Sequence, residues 1–186
     1  MISRIEIGPL VEKRLTYPNW NTGSEYALLS KKAGRSAEIY YVAKGKRRFG
    51  RKFPQDVQLT VRFSYALGLL KGEGSNALGK SNYRRFTITN SDPKVIKFLL
   101  EELENTGLLQ IPSLKKGSLH LLHHTSTDED VVRYWSKQLE LPKKLFRTFD
   151  DKTKTTPFGV CHVYISDVLL RRVVDLLHEK IMGKSI

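Results

Sequence analysis

The C-terminal two thirds of the chain carry apolar residues at the spacings that distinguish helices from strands. Recurrence every three or four positions predicts three amphipathic helices, which follow caps at Asp92, at the capping box 126–129 and at Ser166. Gly107 and Gly183 end the first and third of them. The predicted buried stripes are Ile96, Leu99, Leu100 and Leu103; Val132, Trp135 and Leu139; and Leu169, Leu170, Val173, Val174, Leu177 and Ile181.

Strict alternation of apolar and polar residues predicts half-buried strands over 83–90, 117–125 and 158–165. Short strands are also predicted near 5–10 and at 39–43, whereas 143–156 reads as a polar connection. The polar faces of the first and last long strands carry side chains that hydrogen-bond to phosphates and base edges. These side chains are Tyr83, Arg85, Thr87, Thr89, His162 and Tyr164.

The most apolar helix-like run is the stretch 65–75, which ends in an acid between two glycines. Gly68 and Gly72 lie four residues apart, so on a helix they form a smooth strip that a second helix backbone can approach closely. Each glycine costs a helix about 1 kcal/mol relative to alanine, and a packing gain should offset that cost. Glu73 sits where the helix dipole disfavours negative charge, and a divalent cation bound by carboxylate and carbonyl oxygens would explain it. The alternative is an exposed glutamate at a frayed helix end.

The charge narrows the choice of partner. The 186 residues include 32 lysines and arginines against 19 aspartates and glutamates, which gives a net charge of +13 and a pI near 9.8. This surplus favours a polyanion, with nucleic acid as the first candidate, and a generally basic background is the alternative. Because the sequence has no long basic amphipathic helix, membrane-spanning run or signal-peptide pattern, we expect a cytoplasmic protein that does not bind membranes.

Two basic segments are candidates for phosphate contacts, since flexible cationic loops neutralise backbone charge without reading sequence. The first segment is 44–52, where a solvated basic turn is the alternative, and the second lies within 143–156. The candidate residues are Arg47, Arg48, Arg51, Lys52, Lys152 and Lys154.

The cysteine and histidine content argues against other site chemistries. Cys161 is the single cysteine, which rules out an internal disulfide framework. His120, His123 and His124 are close in sequence, but no acid at ligand spacing joins them. We therefore expect core or surface histidines instead of a zinc site.

The glycine-flanked acid resembles the signature helix of the LAGLIDADG homing endonucleases. Gly68, Leu69, Leu70, Gly72, Glu73 and Gly74 occupy the third, fourth, fifth, seventh, eighth and ninth places of that motif. Ala66 and Leu67 stand where Leu and Ala are usual, and Lys71 replaces a variable, often acidic residue. The order of predicted elements over 55–182 also looks like the single-motif members, from the signature helix through the strands and helices to the terminal helix.

This resemblance implies an α+β fold in which an antiparallel sheet forms a DNA-binding saddle with helices on its other face. It assigns 55–186 to the DNA-binding and endonuclease domain and leaves 1–54 as an N-terminal extension without a predicted structure. Single-motif members act as homodimers, so the resemblance places the interface at Ala66, Gly68, Leu69 and Gly72. It further implies that Glu73, with Gly72, holds Mg²⁺ or Mn²⁺ for site-specific cleavage of double-stranded DNA. The strand-face and basic residues named above are then the candidates for DNA contacts.

Two other functions remain open at the level of sequence. A chain that kept the fold but lost cleavage would be a DNA-binding regulator or an RNA-splicing maturase, with RNA as a partner in the latter case. Residues 74–81 also match the nucleotide-binding P-loop letter for letter, which indicates an NTPase. A P-loop works between a preceding strand and a following helix. Here glycines at helical spacing precede the motif and strand alternation follows it.

Overall fold

The chain folds into an α+β arrangement, as the sequence predicts. A computed structural model describes residues 3–12, 16–18, 25–43, 46–73 and 86–183. The strands are β1 (Ser3–Glu6), β2 (Thr16–Pro18), β3 (Glu25–Ala33), β4 (Ser36–Ala43), β5 (Lys46–Pro54), β6 (Asp56–Leu59), β7 (Phe86–Asn90), β8 (Leu119–His123), β9 (Phe146–Asp150) and β10 (Val160–Ile165). The helices are α1 (Ile7–Glu12), α2 (Val61–Glu73), α3 (Pro93–Asn105), α4 (Asp128–Leu139) and α5 (Val168–Ile181).

The C-terminal part builds a four-stranded sheet with the order β7-β10-β8-β9, called the central sheet below. Strand β10 pairs antiparallel with both β7 and β8, and β9 pairs parallel with β8. The predicted antiparallel sheet is therefore correct for three strands and wrong for β9. That strand was expected to be a connection, because its apolar residues Phe146 and Phe149 fall on opposite faces and give no alternation.

Helices α2 to α5 cover one face of the central sheet. Helix α4 packs on β8 and β9, and α2, α3 and α5 pack on β7. The buried side of the sheet consists of Phe86, Ile88, Leu119, Leu121, Phe146, Cys161 and Val163. These strands and helices share one apolar core with α1 and the N-terminal strands.

Helix caps match the predicted ends to within one residue. The Asp92 carboxylate accepts a hydrogen bond from the Lys94 amide and Pro93 opens α3, as predicted. Thr127 caps α4 through the Asp130 amide, and Asp167 replaces the expected Ser166 as the cap of α5. In α4 the fully buried stripe runs through Val131, not Val132, because residues four apart stay over the core.

The N-terminal part is more ordered than its sequence suggests. Strands β2-β3-β4-β5 form an antiparallel sheet, here called the N-terminal sheet, and β1 pairs with β6. Residues 46–54 are therefore a strand and not the expected basic loop, and Ile7 and Leu10 lie in α1 instead of a strand. Apolar and polar side chains alternate little in these two segments. Pairing with β4 therefore makes 46–54 a strand, and packing on β3 and β4 makes the segment around Ile7 and Leu10 a helix. No helix among the described residues has the length and apolarity needed to cross a bilayer.

Candidate nucleic-acid interface

The face of the central sheet that points away from the helices is called the open face. Alternation along each strand and the pairing register bring its side chains together in rows. One row joins Thr89, His162, His120 and Arg147, and the next joins Thr87 to Tyr164. Leu122, Phe149 and Val160 complete the open face.

Aromatic rings form a continuous ladder across the open face. The His120 ring stacks on Tyr164 with centroids 5.0 Å apart and planes at 15°, and its other neighbour, Phe149, lies at 4.9 Å. The Arg147 guanidinium lies 5.1 Å from the Phe149 ring centroid, in cation–π geometry. The ladder thus presents flat π surfaces beside a fixed cation.

His162 lies in the middle of the sheet and has an unfilled hydrogen-bonding position. Its Nδ1 is 3.1 Å from the Thr89 hydroxyl, whereas its Nε2 is buried and has no partner in the described structure. Buried polar atoms are nearly always paired, so this nitrogen is an exception within the described structure.

The two histidines of the open face are biased towards the neutral form. Burial lowers the pKa of His120, the hydrogen bond with the Gly117 backbone raises it, and the nearby Arg147 charge lowers it further. Burial also lowers the pKa of His162, with a smaller contribution from His120. A neutral imidazole both donates and accepts a hydrogen bond, as base edges require.

Four of the predicted strand-face residues lie on the open face: Thr87, Thr89, His162 and Tyr164. Thr87 is buried, and the other three are half-buried. Tyr83 and Arg85 fall outside the described residues. Sequence reasoning missed His120 and Phe149 and counted Arg147 as part of the basic connection 143–156, because β9 was not recognised as a strand and β8 was read only for metal ligands.

The neighbouring histidines have structural roles, as expected. His123 is buried, and its Nε2 lies 2.9 Å from the Asp128 carboxylate. His124 is exposed, and its Nδ1 lies 2.7 Å from the Asp150 carboxylate. Across the described residues, no three His, Cys, Asp or Glu side chains are grouped as a metal site requires. Burial raises the pKa of the Cys161 thiol far above its ordinary value, which leaves it unreactive.

The residues predicted to contact phosphates lie in different surroundings. Arg51 forms an ion pair with Asp167 and donates a hydrogen bond to the Leu108 carbonyl at 2.5 Å. It therefore ties β5 to the start of α5 and is not a free cation, contrary to the prediction. Lys52 and Lys152 are exposed, and Lys154 is half-buried in the turn after β9. Arg47 and Arg48 belong to β5, and their side chains lie outside the described part.

Helix α2 has a bare strip on its outer side. Val61 and Tyr65 are 89% and 63% exposed, and Gly68 and Gly72 continue the same line. A Cβ atom added to either glycine would meet no neighbouring atom within 4 Å. The other two residues of the predicted interface are less exposed than the strip. Leu69 is half-buried, and Ala66, one position off the strip, is fully buried in the chain's own core.

The last turn of α2 is anchored to α5. The Lys71 ammonium lies 2.5 Å from the Asp175 carboxylate, which also accepts a hydrogen bond from the Arg171 Nε at 3.2 Å. Glu73 is the final residue of α2, and its side chain lies outside the described part. Lys71, a departure from the signature pattern, thus fixes the turn that carries the acid.

The P-loop motif lacks its usual setting. Residues 74–81 lie outside the described residues, but the element that leads into them is helix α2 and not a strand. Asp167 caps α5 and pairs with Arg51, so its carboxylate is already engaged within the fold. The element that precedes the motif thus does not have the form that nucleotide hydrolases need.

Comparison of the chain with protein-family models, with curated proteins and with solved structures finds no match.

Proposed function

We propose that the protein is a homodimeric DNA-binding protein that cleaves double-stranded DNA at a specific site with the help of a divalent cation. The observation that carries the proposal is the open face of the central sheet. Its ring ladder, neutral histidines and Arg147 combine stacking surfaces, hydrogen-bonding edges and positive charge on a chain of net charge +13. These are the three kinds of contact from which DNA recognition is built.

In this proposal the open face reads the bases. Arg147 donates to acceptor atoms of a base or a phosphate, and His120 completes a hydrogen bond with a base edge. Thr89 holds the His162 ring beside His120 through the Nδ1 of His162. Tyr164 and Phe149 keep the His120 ring in place from both sides.

The homodimer is proposed from the bare strip of α2. A stripe of Val61, Tyr65, Gly68 and Gly72 exposes apolar side chains and backbone along one line, which is the surface that a second helix covers. Isologous packing of two copies about an axis that runs along the helices would bring both Glu73 residues to the same end of the interface. A two-fold dimer would select a nearly palindromic DNA site.

The cleavage step is proposed from the position of Glu73. Carboxylate oxygens and the unpaired carbonyls of a helix end are the hard ligands that Mg²⁺ or Mn²⁺ prefers, so Glu73 and Gly72 would hold the ion. One chain supplies a single such acid at this position, and the partner's copy would supply the second. A bound divalent cation activates water and stabilises the leaving oxygen. The contact between Lys71 and Asp175 holds the last turn of α2, which ends at Glu73.

The test is cleavage of a randomised duplex library in magnesium, with wild type beside Glu73→Gln. Bound and cut sequences are read from the same tubes. We expect cuts at one nearly palindromic site with wild type and none with the variant, which should still enrich the same bound sequences. Equal cutting by Glu73→Gln would contradict the assigned role of the acid.

The second candidate is a binding protein without cleavage activity, acting as a DNA regulator or an RNA-splicing maturase. It is favoured by the open face, which offers stacking and hydrogen-bonding contacts whether or not Glu73 holds a metal ion. Such a protein would enrich one duplex or RNA in the presence of EDTA and leave it uncut, and Glu73→Gln would change nothing. We do not propose nucleotide hydrolysis, because a helix leads into the P-loop motif.

A further inference from the structure

The N-terminal sheet holds more than half of the chain's charge surplus. Residues 25–54 contain nine lysines and arginines against two glutamates, so this segment accounts for seven of the thirteen excess positive charges. The segment lies outside the part of the chain that resembles a known family. Its charge therefore needs a separate explanation.

The two faces of the N-terminal sheet have different roles. Ala37, Ile39 and Phe53 are buried on the inner face, where α1 packs on β3 and β4. Alternation places Lys31, Glu38 and Lys52 in one row across the outer face and Leu29, Tyr40 and Gly50 in the next. Lys31, Lys52 and Leu29 are exposed, and Arg35 is exposed in the tight turn at the end of the β3–β4 hairpin.

We propose that the outer face of the N-terminal sheet, with the hairpin turn, is a second DNA-contacting surface that binds the phosphate backbone without reading sequence. This inference rests on the proposed function and adds a partner surface to it. Lys31, Arg35 and Lys52 are the contact residues. Lys31 and Lys52 are separated by two strand spacings, or roughly 10 Å, so they can contact different phosphates of one duplex.

A duplex fits this surface better than an anionic membrane does. Peripheral membrane binding combines cations with several apolar side chains that enter the lipid. Among the exposed large hydrophobic residues of the described chain, only Leu29 lies on this sheet. Among the side chains of this sheet that the structure describes, cations without an exposed apolar cluster match a polyanion whose charges stay in water.

The experiment measures affinity for a duplex as a function of salt concentration. The hairpin variant carries Lys31→Gln, Arg35→Gln and Lys52→Gln. The control variant carries Lys94→Gln, Lys137→Gln and Lys180→Gln, which remove the same charge from exposed positions on α3, α4 and α5. The slope of log K against log salt is negative, and each lost phosphate contact reduces its magnitude by about 0.9.

We expect the hairpin variant to reduce the magnitude of this slope by about 2 to 3 and to weaken binding equally for all duplex sequences. The control variant should keep the wild-type slope. Glu38→Gln should act in the opposite direction and strengthen binding, because it removes the acid between Lys31 and Lys52. Circular dichroism should be the same for all variants, since the changed side chains are at the surface.

Different outcomes separate this inference from the proposed function. If wild type binds one site and the hairpin variant keeps its slope, the inference is wrong and the proposed function stands. If the hairpin variant loses slope while His120→Ala, His162→Ala and Glu73→Gln leave site preference and cutting unchanged, the inference stands and the proposed function is wrong. If the hairpin variant binds the duplex as wild type does and loses binding only to vesicles of anionic lipid, the inference is overturned in favour of a membrane contact.

Discussion

At the scale of single residues, the open face depends on short-range geometry around two histidines. His162 is fixed by Thr89 on one side and by the sheet on the other, and His120 is fixed between two rings. Gly159, just before β10, has a φ of +68°, and a Cβ there would come within 2.2 Å of the Leu122 carbonyl oxygen. Only glycine therefore allows β10 to approach β8 closely enough to align His162 with His120.

The histidines make stability and binding depend on pH. Because burial lowers the pKa of both side chains in the folded state, the unfolded chain takes up protons first as the pH falls below about 6.5. Their contribution to the free energy of unfolding is therefore complete above that pH and is lost as the pH falls through the folded pKa values. Among the described residues, the charge of Arg147 opposes protonation of His120, and a charge on His120 opposes protonation of His162.

We expect His120→Gln/His162→Gln to flatten the pH dependence of the unfolding free energy between pH 7.5 and 5, measured with urea. The proposed function reads base edges with the neutral imidazoles, so wild-type affinity should fall as the pH falls and the double variant should respond less. An identical pH profile for both proteins would show that these histidines do not titrate as argued.

At the scale of elements, the position of α2 is set by its contacts at both ends. Arg62 near its start donates from Nε to the buried Glu102 carboxylate of α3 at 2.9 Å, and Lys71 near its end contacts Asp175 of α5. The helix is therefore held on two neighbours while its outer strip stays bare. Rigid placement of this strip is what close packing against a second copy requires.

Asp175→Asn should destabilise the fold by about 1–2 kcal/mol, because Lys71 would lose the counter-charge of Asp175 in a partly buried site. The change should also reduce cleavage more than binding, since it loosens the turn that carries Glu73. Urea unfolding and cleavage rates measure the two effects.

A matched control for that change is Glu129→Gln. It breaks an exposed pair with Arg133 at i,i+4 spacing, which is worth only about 0.3–0.5 kcal/mol. If both variants lose the same small amount of stability, the contact between α2 and α5 is not the anchor proposed here.

At the scale of the whole molecule, one side of the fold carries the open face and the other its helices. The net charge of +13 is unevenly divided, with a large share on the N-terminal sheet. The bare strip of α2 is the apolar part of the described surface that a second copy can cover. Assembly would therefore join two open faces into one longer DNA-binding surface.

Gly68→Leu should prevent assembly without harming the monomer. The added side chain meets open space in one chain, and leucine improves the helix by up to about 1 kcal/mol relative to glycine. We expect sedimentation to change from dimer to monomer while the unfolding midpoint is kept or raised. Gln138→Leu adds the same side chain to an exposed position of α4 and should leave the dimer intact. A dimeric Gly68→Leu protein would exclude this interface.

Local signals in the sequence were sufficient for much of the C-terminal architecture. Asp92-Pro93, the helical stripes and the alternation in β7, β8 and β10 act over a few residues. They predicted these elements and, apart from Val132 in α4, most of the buried residues that they named. The same alternation placed Thr89, His162 and Tyr164 on one face before any tertiary contact was known. Capping and periodicity are intrinsic to the chain, which is why they can be read without the fold.

Tertiary structure alone decided the rest. Strand β9 exists because β8 offers it a parallel edge, and β5 is a strand because it pairs with β4, although neither segment alternates. Arg51 is occupied by Asp167, 116 residues away, and Ala66 is one helical position off the bare strip. His120, Arg147 and Phe149 became one ladder only through the register between β8 and β9. Pairing, register and long-range ion pairs depend on how distant segments meet, so composition and periodicity do not contain them.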